Sequence, residues 1–395
     1  MSTARNYIAK ELYRATLVVM LALIGLFSFF TLVDQLDAVS DRLPLTALLY
    51  IELLALPTRT YELLPIGVLI GAVLALAGLA HRNELVILRV SGVSAMRLLG
   101  MLWMACIPII AIAVVLSEYI TPAAEIRYSE ANLTLRGKVE GGRLASGYWF
   151  REPTDDGGSR VLNIGELLGS GELANLTIYD IAPNNRLSRL SQADRGIFEE
   201  GELKLINVRD NLITPDAINA LADGMPDQQP IMVVKTEASR VLDTTLTPGR
   251  VVARIATPEK MSLVTLWDYI NYLQSNDLDA TRQVVAVWRK LAYPFTLLVM
   301  LTIAAPIAFM QTRRGGMGAK VFAGILAGTL FFMIGQLTLN MGLLYQWQPI
   351  VTALLPNTLA FVLALGTLLA MERRFRWGKA HASSRPSTVN QGTSS

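Results

Sequence analysis

The chain has 395 residues, of which 52% are apolar and only 17% charged, and its net charge is +3. Soluble proteins carry charge nearer about a quarter, so an ordinary water-soluble globule is excluded. No basic block interleaved with aromatics points to nucleic acid, and one cysteine, Cys106, leaves no intrachain disulfide.

The mean hydropathy of +0.41 is concentrated toward the two ends, with mixed polar sequence between them. A spanning helix needs about 20 mostly apolar residues, and six runs qualify: Thr16–Val33, Leu63–Ala80, Leu98–Leu116, Leu291–Met310, Val321–Leu344 and Pro349–Met371. None has a Lys, Arg, Asp or Glu in its interior. The second run is expected to extend upstream as helix. The first is too long for a signal-peptide core and lacks a small-residue cleavage site, so it is expected to remain as a span.

Basic residues mark the cytoplasmic ends. Arg5, Lys10 and Arg14 precede the first run, Arg82, Arg89 and Arg97 join the second and third, and Arg313, Arg314 and Lys320 join the fourth and fifth. Arg373, Arg374, Arg376 and Lys379 follow the sixth. The intervening loops are poorer in cations. This pattern predicts a multi-pass membrane protein with both termini cytoplasmic and the segment from about Glu118 to Arg289 outside.

That outer segment predicts an all-β domain over residues 122–261. Strands are expected at Gly147–Arg151, Val161–Ile164, Leu176–Ile181, Gly196–Val208 and Ile231–Val234, with turns at Pro183–Asn185 and Asn207–Asn211. From Ser262 the spacing turns helical through Leu263, Leu266, Tyr269, Ile270 and Leu273. With a helix near Val284–Lys290, residues 262–290 form a return segment to the membrane. The expected layout is spans one to three in 1–121, spans four to six in 291–372, and a disordered cytoplasmic tail over 373–395.

The chain lacks a Walker A pattern, an HExxH and a GxSxG. It is therefore expected to be no enzyme and to hold no cofactor or metal of its own. The uncharged span interiors argue against a proton- or sodium-coupled pump.

One cytoplasmic stretch, His81–Ser94 (HRNELVILRVSGVS), combines helical spacing at Leu85 and Leu88, and at Val86 and Val90, with flanking charges and a stop at Gly92. It reads equally as an interfacial helix with snorkelling arginines or as a coupling helix that docks in an ATPase. The stretch resembles the R-x-E-L-x-x-x-R/Q-x-S-G signature of the LptF/LptG family of lipopolysaccharide export permeases. Val33–Leu36, Glu118–Pro122 with Glu125, Tyr269–Leu273, Trp288–Lys290 with Pro294, and Arg314–Gly318 are similar to the same family, nearer its LptG branch.

The resemblance implies a membrane α-helical bundle of six transmembrane helices with an inserted periplasmic jellyroll-like domain. It implies an LptF-like permease half as partner, an LptB-like ATPase dimer binding ATP and magnesium, and an LptC-like single-span bridge protein. Lipopolysaccharide would be the cargo. A coupling helix over about 81–97 would use Glu84, Arg82, Leu85 and Arg89. Phe27, Phe30 and Phe331 would line an apolar wall, and Gly324 and Gly328 would belong to a lateral gate. The branch's lysines at the outer end of helix one are missing here, with Thr31, Asp37 and Ala38 in that region, so either Arg59, Arg127, Arg136 and Lys138 replace them as phosphate contacts or phosphate contact matters less in this chain. Half of another ATP-driven envelope lipid or lipoprotein extractor is the alternative reading.

Overall fold

A computed structural model describes residues 2–39, 44–136, 148–154, 156–167, 172–199, 202–213, 232–244, 246, 257–276, 278–309 and 317–382. The helices are α1 (Ser2–Gln35), α2 (Leu45–His81), α3 (Glu84–Val90), α4 (Ala95–Val115), α5 (Thr121–Arg136), α6 (Leu263–Ser275), α7 (Thr281–Phe309), α8 (Met317–Leu344) and α9 (Pro349–Ala382). Six of the described helices are long and apolar enough to cross a membrane. Each contains one of the six apolar runs, except that the third run ends one residue past α4, at Leu116, and Met310 of the fourth lies outside the described residues.

The chain divides into two compact units. The first comprises Met1–Leu26, Glu62–Val114 and Trp288–Ser395. Its core is built on α2, with Val68, Leu69, Ala72, Val73 and Leu76 fully buried. Small residues let neighbours approach closely. A Cβ at Gly71 would lie 2.6 Å from the Cα of Thr16, and one at Gly67 would overlap the Met20 side chain, so these glycines receive α1. Gly324 and Gly328 of α8 rest on Val73 and Leu69, at 3.3 and 3.2 Å from where a Cβ would stand.

The second unit comprises Phe27–Tyr61 and Val115–Val287. Here α4 runs on through a π turn, Leu116–Ile120, into α5. Pro122 cannot donate to the turn before it, and the helix widens there. Residues 122–136 are therefore helical, and the expected β domain begins only after them. Glu118 accepts the Leu263 N–H at 2.8 Å at the start of α6. Glu125 accepts from Lys260 at 2.9 Å and from Thr58 at 3.3 Å. Ser262 is the N-cap of α6, accepting from the Thr265 N–H at 3.2 Å.

The strands are β1 (Tyr148–Pro153), β2 (Ser159–Leu167), β3 (Leu173–Ile181), β4 (Leu187–Glu199), β5 (Glu202–Ile213) and β6 (Met232–Leu242). They form one antiparallel sheet in sequence order. The described strands are thus a meander, each paired with its neighbours in the chain. The jellyroll-like domain appears in these residues as a single sheet packed on one apolar face, formed by Phe150, Leu162, Ile164, Leu176 and Leu205 among others.

The Pro183–Asn185 turn is present. Asn185 has φ +61° and donates its N–H to the Ala182 carbonyl at 2.8 Å. The expected strand Gly196–Val208 is instead the end of β4 and the start of β5, because Glu199 pairs with Glu202. The expected Asn207–Asn211 turn is unbroken β5. Ile231, the first residue of the last expected strand, lies outside the described residues.

Asn207 has φ +55°, as does Asn175 on β3. By register the two stand level with Asp194 and Gly165, in one line across four strands. Along that line the inward-facing positions slip by one residue: Leu173 then Leu176, Ala193 then Gly196, Leu205 then Val208. The sheet therefore carries a transverse crease, closed by a 3.2 Å bond from Asn207 to Asp194. Asparagine tolerates the left-handed backbone there. At Gly165 a Cβ would come within 2.9 Å of the Asn175 Cβ.

At the other end of the chain α9 continues to Ala382. Residues 373–382 of the expected disordered tail are helical, and 383–395 lie outside the described residues.

Candidate functional site

The short helix α3 is set off by a left-handed residue on each side, Asn83 at φ +59° and Gly92 at φ +88°. The Val93 N–H turns back to the Leu88 carbonyl at 3.1 Å and closes the helix. Leu85 is buried and Leu88 half-buried. Ile87 and Val90 point outward, 64% and 77% exposed. The helix thus has one apolar face inside the protein and a second facing out. The side chains of Val86 and Arg89 lie outside the described residues.

Glu84 opens α3, where a carboxylate suits the helix dipole. The Tyr7 hydroxyl of α1 donates to one carboxylate oxygen at 2.9 Å, and Arg82 Nε lies 3.5 Å from the other. Arg82 also pairs with Glu11. That hydrogen bond holds the arginine's pKa above its ordinary value. Glu84 remains about one-third exposed.

The other expected residues are spread over the two units. In the second, Arg59 makes a two-pronged pair with Glu52 and donates to Ser28 at 3.1 Å. Its charge is matched within α2 by Glu52. Arg136 ends α5, with its side chain outside the described residues, and Lys138 lies outside them altogether. Phe27 and Phe30 are exposed, and Phe30 meets Phe29 edge-on with ring centroids 5.9 Å apart. In the first unit, Phe331 is half-buried and lines an apolar cavity of about 670 Å³ between α7, α8 and α9. Gly324 and Gly328 pack α8 on α2 of the same chain, so their small size already has a use inside the protein.

The sequence profile of the family described as lipopolysaccharide export system permease LptF/LptG matches residues 6–370. The chain belongs to the LptF/LptG family. It is 27% identical to the lipopolysaccharide export system permease protein LptG of Escherichia coli strain K12 over 371 residues, 92% of this chain and 97% of that protein. It is 25% identical to the protein of the same name from Haemophilus influenzae over 378 residues, 94% and 99% of the two chains.

For this LptF/LptG chain, six apolar helices with an antiparallel β domain between the third and fourth are the architecture of a multi-pass inner-membrane permease subunit. Sequence reasoning missed Tyr7 and Glu11 as partners of Glu84 and Arg82, and Glu52 as the partner of Arg59. Tyr7 and Glu11 are one helical turn apart on α1, and Glu52 and Arg59 two turns apart on α2, so each set shares a helix face. That spacing was a usable signal for Glu52 and Arg59. Nothing in the sequence tied Tyr7 to Glu84, because the contact depends on how α1 packs.

Proposed function

We propose that this chain is one transmembrane half of an ATP-driven machine that draws lipopolysaccharide from the inner membrane and passes it to a periplasmic bridge. The family match over residues 6–370 carries this reading. The second permease half would be LptF-like, the ATPase a dimer of LptB type and the bridge of LptC type. ATP and magnesium would be held by the ATPase.

The physical need is plain. Moving one CH₂ from hydrocarbon to water costs about 0.8 kcal/mol, so a bare acyl chain of a dozen carbons costs ~10 kcal/mol. The cargo therefore needs an apolar container and an external energy source. Exposed Phe27 and Phe30 on α1 suit the wall of such a container. The helix α3 suits the drive, with Ile87 and Val90 offered to a groove and Glu84 beside them to pair with a cation or backbone N–H groups.

Glu84→Ala is expected to leave membrane insertion intact while the ATPase is lost on copurification, or retained with hydrolysis uncoupled from lipid release. Loss of one partner of a buried pair costs ~2–5 kcal/mol. Wild-type stoichiometry, ATPase rate and lipid release in the variant would remove Glu84 from the coupling surface.

The arginine pattern further orients the termini and α3 to the cytoplasm and the β domain to the periplasm. A cysteine replacing Asn185 should react with an impermeant thiol reagent in spheroplasts, and one replacing Ser94 should not. Labelling of the Ser94→Cys variant from outside would reverse the orientation.

A further inference from the structure

We infer that Tyr7 and Glu11 are positioning residues that clasp α3 to α1, so that displacement of the short helix is delivered to the long one. The inference rests on the reading of α3 as the contact with an ATPase, and it concerns what happens to a push once it has been received.

A seven-residue helix between two left-handed joints is poorly suited to pass on force. Asn83 and Gly92 are places where the backbone can change direction, and α3 is joined through them to α2 and α4. Only Leu85, with half-buried Leu88 beside it, anchors it to the core among the described side chains. Pressed on Ile87 and Val90, such a helix would swivel about its joints.

The clasp opposes this. Tyr7 holds Glu84 on α3, and Glu11 holds Arg82 in the joint itself. Arg82 in turn reaches Glu84 at 3.5 Å, so the four side chains close a loop between α1 and the start of α3. Both α1 residues are well placed to bear load. Ile8 and Leu12, each next in sequence to one of them, are 1% and 0% exposed. Just beyond them, Tyr13 donates to the Ala105 carbonyl at 2.8 Å and Thr16 packs at Gly71. From there α1 continues unbroken to Gln35, about 50 Å in all at 1.5 Å per residue. A helix gripped at its foot is a physical means of carrying a cytoplasmic movement into the span.

Tyr7 also touches the carboxylate that an ATPase would engage. A partner that draws Glu84 away from Tyr7 loosens the clasp, and one that binds the remaining lone pairs leaves it closed. The tyrosine hydroxyl therefore links engagement of α3 to the setting of α1.

The test uses the whole complex of this chain, its second permease half and the ATPase, reconstituted in liposomes containing lipopolysaccharide. ATP hydrolysis and lipopolysaccharide release are measured together for wild type, Tyr7→Phe, Glu11→Gln, the double variant, and Tyr7→Phe on Glu84→Ala. For Tyr7→Phe, Glu11→Gln and the double variant the clasp predicts unchanged subunit stoichiometry and melting temperature, and hydrolysis within about twofold of wild type. Release per ATP should fall at least fivefold in the double variant, and Tyr7→Phe should add no further loss on Glu84→Ala, because contacting residues do not act additively. Wild-type release per ATP in the double variant overturns the clasp. So does a loss that tracks melting temperature or ATPase binding, or one that adds fully to Glu84→Ala, since each assigns Tyr7 a packing role. A wild-type complex that neither hydrolyses ATP nor releases lipopolysaccharide overturns the permease reading instead, and the clasp falls with it.

Discussion

Helices α1 and α2 are equally apolar over their most apolar stretches, yet 17% of that stretch is buried in α1 and 72% in α2. Apolarity marks a segment that can enter a bilayer. It does not say whether lipid or protein will surround it, because hydrocarbon tails and leucine side chains are alike in polarity. What separates the two helices is size. Gly67, Gly71, Ala72, Ala75 and Ala77 let neighbours come close to α2, and close approach is what holds helices together where the hydrophobic effect gives no preference. By contrast, α1 carries bulky Leu26, Phe27, Phe29 and Phe30 outward, a surface left for lipid, cargo or a second chain.

The sharpest way to break this contrast is to enlarge a glycine on each helix. Gly71→Leu must displace the α1 backbone at Thr16, and it should destabilise the protein by about 3 kcal/mol. Gly25 of α1 has no neighbour within 4 Å of its Cβ position, and Gly25→Leu should change stability by under ~0.5 kcal/mol. Thermal unfolding in detergent separates the two, and equal midpoints would show that the α1–α2 contact is not a tight one.

A smaller effect is expected from removing an aromatic ring. Phe331 packs against the core cluster of the first unit, and Phe331→Ala should cost about 2 kcal/mol through lost contacts. Phe30→Ala, on an exposed ring, should be near neutral for folding. The same unfolding measurement ranks them, and the reverse order would mean that exposure in the single chain misjudges which ring carries packing.

The six spans were legible because a bilayer imposes length and apolarity together. The upstream half of α2 was harder, since Glu52 and Arg59 interrupt its apolar run and become acceptable only as a pair. The α5 segment was read as part of the β domain because it lacks a strong apolar stripe, and its placement comes from the continuous helix before it. In the sheet, the local preference at Asn207 was visible and its consequence was not. A left-handed residue can end a strand in a reversal or bend it in place, and only the neighbouring strands decide. The real reversal between β4 and β5 leaves Glu200 and Gly201 to join Glu199 to Glu202, a weaker signal than Asn-Gly. Among the candidate functional residues, the α3 stretch could be picked out by its motif. Its clasp to α1 could not, because residues 77 positions apart in the chain meet only after packing.

The crease across the β domain has a consequence for how the strands find their partners. A one-residue slip in a sheet turns every side chain to the wrong face and is strongly opposed. A two-residue slip keeps the faces correct, and alternation alone does not forbid it. In this sheet a strand displaced by two residues would carry its left-handed asparagine away from the level of its neighbours, so its inward positions would change parity where theirs do not. Asn175 and Asn207 therefore act as alignment marks, excluding the even-numbered misregistrations that a uniformly pleated meander would tolerate.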